Sequence, residues 1–412
     1  RKARGEAAAF GRERARLLDY GGAVHIVAWL DQAENALHVP RWSAALIAEP
    51  DGHTDLAAMA AESRIWLARA EASAEKPWRE MDLGEWEGRN RDDVLAADGA
   101  VLHRIFAGED LPWGGSGERL GEVVARGLQA MFTLADRLGD DGSGLVVTHG
   151  GIIQSVLGGV LDGGAVPWPF LAITNTALTT VRVGEGATVL DLNDTFHLRN
   201  GIGAVVHDPP GTSLTLVRHA ESEANAAGRW QGHTDAPLTG RGRAQAVRLA
   251  ATAPPFDAVY TSPLSRARDT AAVLADRAGC DVVVREDLME MAFGSWEGLR
   301  PDEVALRDPD AWAAIYDEGR DLPRGGDGET FGIAGARVTA ALDEISAAHP
   351  GGRAAVVSHG GALRAYAAAL LGIDFADRHR IAAPRNTATA RLVFGERRTA
   401  LADWNLAAHL DG

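Results

Sequence analysis

Short apolar runs, which are typical of buried strands, alternate along the second half of the chain with longer segments that have the period of a helix. The runs that predict strands are residues 214–217, 257–260, 281–285, 354–357, 387–394 and 399–403. The segments that predict helices begin near residues 239, 263, 301, 329 and 362, and the third of them is predicted to run to residue 318. Strands that alternate with helices predict a largely parallel sheet that is covered on both faces.

The motifs of the second half have counterparts in the first half, in the same order and at an almost constant distance. EMDLGEWEG begins at Glu80, and EMAFGSWEG begins at Glu290, 210 positions later. His149 in VVTHGG and His359 in VVSHGG are separated by the same 210 positions. The motifs GGSGE and GGDGE, and two NTA motifs, lie 211 positions apart. Because chance similarity does not keep its register over such a distance, the sequence predicts a tandem duplication.

The boundary between the two copies is predicted within NGIGAVVHDPPGTS, residues 200–213. This segment combines a proline pair with several glycines and lacks an amphipathic period, which is typical of a linker. We therefore predict a first domain at residues 1–203, a linker at 204–211 and a second domain at 212–412. Because duplicated domains can reuse one self-complementary surface, the two copies are also predicted to pair as the subunits of a homodimer would.

Charged side chains follow four of the apolar runs in the second copy. The run at 214–217 ends directly in Arg218 and His219, and the run at 354–357 leads into His359. Arg266 and Glu290 follow the two other runs. Ligands bind at the carboxyl ends of strands in open α/β sheets, so these five side chains are predicted to share one crevice.

Two histidines, two arginines and one glutamate suit phosphoryl transfer. A neutral His219 can attack phosphorus in line and form a phosphohistidine. Arg218, Arg266 and a protonated His359 can neutralise the charge on the phosphoryl oxygens in place of a metal ion. Glu290 can protonate the leaving alkoxide, and the resulting carboxylate can then activate water.

These motifs, taken in order, resemble those of the histidine phosphatase superfamily, the phosphoglycerate-mutase-like proteins. The matching segments are RHA around His219, SPLSRARDTA around Arg266, EMAFG from Glu290 and VSHG around His359. Ala220 stands where that family usually has glycine, which is a difference of one methyl group beside the predicted nucleophile. The resemblance covers nearly all of the second domain.

The resemblance implies an α/β fold with two tandem three-layer α/β/α sandwich domains, each with a mostly parallel central sheet. It also implies a metal-independent phosphomonoesterase that uses no metal and no organic cofactor. Besides the two arginines, the residues predicted to bind substrate are Ser222, Asn225, Gln231 and Gly360. Two alternatives remain open at this point, namely a phosphoglycerate-mutase-like phosphotransferase and a non-catalytic binding or scaffold protein.

The first copy is predicted to be degenerate. VHIVAWLDQAEN, residues 24–35, aligns without a gap on LTLVRHAESEAN, residues 214–225, which places Ala28 at the position of the first arginine and Trp29 at that of the nucleophile. An indole ring cannot attack phosphorus, so this domain is predicted to be non-catalytic. Its Glu80 and His149 are interpreted either as relics held by the fold or as parts of a ligand-sensing site.

Composition limits the possible partners. The chain has 412 residues, of which 46% are hydrophobic and 24% charged, as in an ordinary globular protein. Its net charge of −16 argues against nucleic acid or a membrane surface as a partner. The predicted substrate is a small phosphorylated metabolite, namely a sugar, nucleoside or small alcohol monophosphate. The single Cys280 excludes a cysteine-built metal cluster, and we predict a cytoplasmic protein.

Overall fold

The computed structural model describes residues 23–28, 76–139, 142, 144–161, 173–174, 177–184, 186–196, 211–395 and 398–410, with residues 23–28 described as backbone. The first copy contains β1 (Ala23–Ala28), α1 (Arg91–Phe106), α2 (Leu120–Leu138), β2 (Gly144–Thr148), α3 (Gly150–Leu161), β3 (Leu178–Val183) and β4 (Ala187–Asp194). Its short 3-10 turns are Lys76–Trp78, Gly84–Trp86 and Trp113–Gly115. Trp29 and most of the predicted linker lie outside the described residues.

The second copy begins with β5 (Thr212–Arg218), α4 (Glu223–Ala226), α5 (Gly240–Thr252), β6 (Ala258–Thr261), α6 (Ser265–Ala278) and β7 (Val282–Val284). It continues with α7 (Pro301–Arg307), α8 (Pro309–Trp312), α9 (Phe331–Ala348), β8 (Arg353–Ser358), α10 (Gly360–Leu371), β9 (Thr389–Phe394) and β10 (Thr399–Leu406). Its shorter turns are Glu286–Leu288, Gly294–Trp296, Phe375–Arg380 and Ala408–Leu410, together with a π-helical turn at Ala313–Asp317.

The described strands form one ten-stranded sheet in the order β2-β1-β3-β4-β10-β9-β5-β8-β6-β7. In the second copy β5, β8, β6 and β7 are parallel neighbours, and β9 and β10 run antiparallel at the other side. In the first copy β1 is parallel to β2, whereas β3 and β4 are antiparallel additions. The sheet passes from one copy to the other where β4 and β10 pair antiparallel, with Leu192 opposite Trp404. The fold is therefore α/β, with two tandem domains joined at the edges of their sheets.

Strand β5 lies inside the sheet of the second copy, and helices cover both of its faces. Leu214 and Leu216 belong to a core that includes residues of α9 and α10. Val217 belongs to a second core, with Leu249 from α5 and Leu274 from α6. Because both faces are covered, this strand is nearly continuous in its apolar residues, and the domain has three layers.

The helix predicted over residues 301–318 is divided in the structure. Helix α7 ends at Arg307, and α8 begins at Pro309. Between them Asp308 has φ −138° and ψ 61°, outside the helical region. The ring of a proline disfavours helical geometry in the residue before it, so Pro309 explains the break.

A packed module that supports the acidic motif is present in both copies. In the second copy Arg337 pairs with Glu329 at 2.7 Å and donates a hydrogen bond to the carbonyl oxygen of Met289 at 3.0 Å. In the first copy Arg126 makes the corresponding contact with Glu118, at 2.9 Å between Nη2 and Oε2. The glutamates belong to the repeated GGSGE and GGDGE motifs, which explains why these motifs occur together with the acidic motif.

The repeated glycine-rich motif also requires glycine for close backbone contact. Gly325 has φ +57°, and a Cβ atom there would lie 2.4 Å from the carbonyl oxygen of Phe293. Its counterpart Gly114 has φ +53°, and a Cβ atom there would meet the carbonyl oxygen of Leu83 at 2.2 Å. The next residue, Gly326, has φ +87°, but a Cβ atom there would have no heavy atom within 4 Å.

We expect Gly325→Ala to lower the free energy of unfolding by roughly 3 kcal/mol, because left-handed strain adds to a backbone collision. Gly326→Ala is the matched control and should cost only about 1 kcal/mol, since strain alone applies there. Urea denaturation of both full-length variants measures the difference. Equal losses would show that the contact with the Phe293 carbonyl is not what selects glycine.

Candidate active site

The two histidines of the second copy meet at the carboxyl ends of β5 and β8. These strands are parallel neighbours, and Arg218 at the end of β5 stands opposite Ser358 at the end of β8. His219 and His359 are the next residues, with their ring centroids 5.0 Å apart. Both rings are buried, at 2% and 0% exposure. The sheet register thus places the two histidines side by side.

His219 is oriented by the backbone. Its Nδ1 lies 2.7 Å from the carbonyl oxygen of Ala220, and a carbonyl oxygen can only accept, so Nδ1 carries the proton. The lone pair is then on Nε2. Burial lowers the pKa of His219 well below its ordinary value, and the charges of Arg218 and Arg266 lower it further. The ring is therefore neutral, which is the form that a nucleophile requires.

His359 differs from the sequence-based expectation of a protonated ring. Burial holds its pKa well below the ordinary value, and neighbouring His219 and Arg266 lower it further. Its Nε2 lies 2.8 Å from Ser262 Oγ, and its Nδ1 is buried with no hydrogen-bond partner among the described residues. In the protein without an anion this favours the neutral form of His359, because a proton there would be buried and would add charge beside two guanidinium groups.

Arg218 is oriented by a hydrogen bond to a carbonyl oxygen and packs closely against Gly360. Its Nη1 donates a hydrogen bond to the carbonyl oxygen of Pro384 at 2.7 Å. A Cβ atom at Gly360 would lie 3.2 Å from Arg218 Cζ, so the guanidinium group packs closely on the start of α10. Burial lowers the pKa of Arg218, and the charge of Glu290 opposes that shift. Gly360 therefore shapes the site by allowing this close approach.

Arg266 lies at the start of α6 with 0% exposure. Its Nη1 donates to the carbonyl oxygen of Thr234 at 3.0 Å, and its Nη2 donates to that of Gly232 at 2.8 Å. The Asp235 carboxylate is farther away, at 3.7 Å, and is 45% exposed. Carbonyl oxygens thus fix the orientation of Arg266 while leaving most of its positive charge available to a ligand.

The loop that binds Arg266 is itself held by Glu297, which sequence reasoning missed. Glu297 accepts hydrogen bonds from the backbone N–H of His233 at 2.9 Å and from that of Thr234 at 2.8 Å. It also accepts one from Thr234 Oγ1 at 2.7 Å. Its signal was present in the sequence, because Glu297 belongs to the repeated WEG motif and has a counterpart in Glu87.

Glu290 is anchored at the beginning of α10. Its Oε1 accepts hydrogen bonds from the backbone N–H groups of Met291 and Ala362, both at 2.8 Å, and its Oε2 accepts one from Gly361 at 3.1 Å. The sequence predicted this helix from residue 362, but α10 begins at Gly360. The earlier start matters because N–H groups in the first turn of a helix have no intrahelical partner and can hold a carboxylate.

The remaining predicted substrate-binding residues form a network around the histidine loop. Asn225 Oδ1 accepts hydrogen bonds from the backbone N–H of Ser222 at 3.2 Å and from Asn386 Nδ2 at 3.1 Å. Ser222 is buried and donates to Gln231 Oε1 at 3.1 Å. Asn386 also donates to the carbonyl oxygen of His219 at 3.0 Å. Sequence reasoning missed this role of Asn386, although the repeated NTA motif pointed to it.

The first copy keeps part of the frame of this site, but alanine stands at the position of the first arginine. Ala28 at the end of β1 pairs with Thr148, as Arg218 pairs with Ser358, which agrees with the sequence alignment of Ala28 on that arginine. Glu80 still accepts a hydrogen bond from the N–H of the next residue at 2.8 Å. The concave surface beside Glu80 is lined by Arg79, Glu80, Met81, Asp82, Leu83, Glu87 and Gly88. Three carboxylates and one arginine there disfavour a phosphate dianion.

Two features are absent from the described residues. No group of His, Cys, Asp and Glu in this part of the chain is arranged to hold a metal ion. No helix within the same residues is long and apolar enough to cross a membrane.

The model of the histidine phosphatase superfamily (branch 1) matches residues 57–195 and 214–407. The chain belongs to this superfamily. It is 33% identical over 199 residues to phosphoserine phosphatase 1 of Hydrogenobacter thermophilus, a match that covers 48% of this chain and 93% of the relative. A metal-independent phosphoserine phosphatase of Arabidopsis thaliana is 41% identical over 158 residues, covering 37% of this chain and 66% of the relative. A probable phosphoglycerate mutase of Enterobacter sp. (strain 638) is 33% identical, covering 44% and 84%.

Phosphatases and mutase-like proteins thus both occur among the relatives of this histidine phosphatase. The family match and the two phosphoserine phosphatases identify the chain as a phosphoric monoester hydrolase. Each of the three matches covers less than half of the chain, as expected where one relative corresponds to one of two copies.

The buried neutral histidines predict a fall in stability at acidic pH. The folded pKa of His219 lies well below 6.5, so between these values the unfolded chain binds a proton that the folded protein does not bind. The free energy of unfolding should therefore decrease as pH falls below 6.5, by about 1.4 kcal/mol per pH unit for each such histidine. His219→Asn should make this dependence shallower by that amount. Denaturant titrations at several pH values measure both slopes, and equal slopes would contradict a buried neutral His219.

Proposed function

We propose that the second domain hydrolyses a small phosphomonoester through a phosphohistidine on His219. The observation that carries this proposal is the hydrogen bond from His219 Nδ1 to the Ala220 carbonyl oxygen, because it directs the lone pair on Nε2 away from the backbone. The two arginines beside the ring supply positive charge for a phosphate dianion.

In the first half of the reaction, Nε2 of His219 attacks phosphorus as the bond to the ester oxygen breaks. Arg218 and Arg266 stabilise the charge that spreads over the equatorial oxygens. Ser262 Oγ accepts a hydrogen bond from the N–H of Leu264 at 3.3 Å, so its own proton is available for His359 Nε2. The Nδ1–H of a neutral His359 then serves as a third donor to phosphate.

Glu290 serves both halves of the reaction. Its carboxylic acid protonates the leaving alkoxide, and its carboxylate then takes a proton from water as the water oxygen bonds to phosphorus. The bond between Nε2 and phosphorus breaks in that second step, which releases inorganic phosphate and restores His219. The backbone donors of α10 keep this carboxyl group in place throughout.

The substrate class we propose is a sugar, nucleoside or small alcohol monophosphate, for which phosphoserine is the first compound to assay. Two relatives are named phosphoserine phosphatases. The two negative charges of one phosphate group balance the positive charges of Arg218 and Arg266. The net charge of −16 disfavours nucleic acid and membrane surfaces as partners. We also propose domain limits at residues 1–203, 204–211 and 212–412, and a cytoplasmic location.

We expect His219→Ala to abolish release of phosphate from a phosphomonoester, with the wild-type protein fully active in the presence of a chelator. The control is His149→Ala, which removes the first copy's counterpart of His359 and should leave turnover unchanged, since the first copy has Trp29 at the position of His219. A colorimetric phosphate assay on full-length proteins measures both. Full activity in His219→Ala, or loss of activity in the chelated wild type, would refute the proposal.

Glu290→Gln should separate the two halves of the reaction. An aryl phosphate has a leaving group that needs no protonation, so the variant should still transfer phosphate to His219 but hydrolyse the product about 100-fold or more slowly. The intact mass of the protein after brief mixing should therefore show a phosphoryl adduct in Glu290→Gln and none in His219→Ala. A protein that never forms the adduct would instead be the binding or scaffold alternative.

The relative named as a probable phosphoglycerate mutase keeps the phosphotransferase alternative in view. A mutase must return the phosphoryl group to a second hydroxyl group faster than water removes it. Labelled phosphate distinguishes the two activities, because a hydrolase releases the label whereas a mutase moves it between phosphorylated metabolites. We expect release to dominate.

A further inference from the structure

The two copies are joined by a nearly symmetric pair of asparagines. Asn193 on β4 donates from Nδ2 to the carbonyl oxygen of Ala402, and Asn405 on β10 donates from Nδ2 to that of Leu190, both at 2.8 Å. Both asparagines have positive φ, at 56° and 61°. Left-handed geometry is uncommon outside glycine. Its occurrence at both positions shows that the two copies contribute asparagines of the same conformation to the junction.

The symmetry extends to the segments that precede β3 and β9. Asn193 Oδ1 accepts a hydrogen bond from the backbone N–H of Thr174 at 2.9 Å. Asn405 Oδ1 accepts one from the backbone N–H of Arg385 at 2.7 Å. Thr174 and Arg385 occupy the same place in the two copies, 211 positions apart. One copy therefore has a neutral side chain where the other has a guanidinium group.

The guanidinium group creates a contact between the copies at that place. Arg385 Nη2 lies 3.0 Å from Oδ1 of Asp191, which belongs to β4 of the first copy and has 0% side-chain exposure. Asn405 Nδ2 donates to the same oxygen at 3.1 Å. In the second copy the counterpart of Asp191 is Asp403, which pairs with Arg391 of its own copy at 3.2 Å. The Asp191–Arg385 ion pair thus breaks the symmetry of the junction.

The residues on either side of Arg385 hold the catalytic loop. The carbonyl oxygen of Pro384 accepts the hydrogen bond from Arg218 Nη1, and Asn386 Nδ2 donates to the carbonyl oxygen of His219. The backbone N–H of Thr387 donates to the carbonyl oxygen of Arg218 at 3.0 Å. A single short segment, residues 384–387, therefore contacts the first copy through Arg385, and its other residues contact Arg218 and His219.

We propose that Asp191 is a positioning residue for the phosphate site of the second copy. By binding Arg385, it fixes the 384–387 segment and so the direction of the Arg218 guanidinium group. The degenerate copy then contributes to catalysis without touching the substrate. This inference rests on the proposed function, and it assigns to the first copy a role in phosphate binding that does not require Glu80 or His149.

The experiment compares full-length wild type with Asp191→Asn, Arg385→Gln and the variant that carries both changes. Calorimetry measures the affinity for inorganic phosphate, and steady-state assays measure kcat and KM for a phosphomonoester. We expect each single variant to bind phosphate about tenfold more weakly, because a small displacement of Arg218 weakens a bidentate contact. The double variant should bind no more weakly than Arg385→Gln alone, because the ion pair that Asp191→Asn disrupts is already absent there.

Asn193→Gly is the matched control at the same junction. Glycine adopts the left-handed geometry, and the change removes the hydrogen bonds to Ala402 and Thr174, neither of which belongs to the 384–387 segment. It should lower the midpoint of thermal unfolding and leave the affinity for phosphate unchanged. An equal loss of affinity in this control would overturn the proposal, because the junction as a whole would then be responsible.

Arg385→Lys keeps the proposal testable if the other variants fold poorly. It retains a cation that can approach Asp191, and it should restore most of the phosphate affinity lost in Arg385→Gln. Wild-type affinity in Asp191→Asn, or full additivity in the double variant, would refute the positioning role. Phosphate affinity does not depend on turnover, so a protein that binds phosphate but hydrolyses no ester would refute the proposed function alone.

Discussion

Two guanidinium groups and two imidazole rings share one buried site near the ends of β5 and β8. The other contacts of the active site depend on how the guanidinium groups are oriented and how far their positive charge is balanced. Arg218 is oriented by the carbonyl oxygen of Pro384, and Arg266 by those of Gly232 and Thr234. A carbonyl oxygen directs a guanidinium group without neutralising it. The positive charge therefore remains available for an anion. Burial lowers the pKa of both neighbouring histidines, and this charge lowers it further.

That arrangement destabilises the free protein, because buried positive charges lie close together without full compensation. The surrounding structure makes it possible. Strand β5 lies between β8 and β9 with helices on both faces, so its packing fixes the position of the strand end that carries Arg218 and His219. Glu297 fixes the loop that carries the Arg266 partners, and α10 fixes Glu290. The first copy keeps the corresponding scaffold, in which Arg126 still pairs with Glu118, but Ala28 stands in the place of the first arginine.

Some features of this site can be read from the sequence, and others depend on contacts that the sequence does not reveal. The strands and the convergence of His219 and His359 were predictable, because an apolar run that ends in charged residues is typical of a buried strand whose carboxyl end lies at a ligand site. The neutrality of His359 was not predictable, since it depends on burial beside groups that are distant in sequence. The break at Pro309 was readable from the proline itself. The hydrogen-bond partners of Arg266 are backbone carbonyl oxygens. Every residue type carries such an oxygen, so the sequence does not identify these partners.

The junction of the two sheets gives a physical reason for a degenerate copy to persist. Without β4, strand β10 would present an unpaired edge, and exposed edges promote association with other chains. A symmetric junction needs only the two asparagines, which serve both copies alike. Because both copies lie in one chain, their sequences need not be identical, and an arginine stands at residue 385 where the first copy has Thr174. To cover the edge of β10, the first copy needs only a strand at β4. To bind Arg385, it needs Asp191 at one position on that strand. A substitution at Asp191 can therefore remove the second role and leave the first intact.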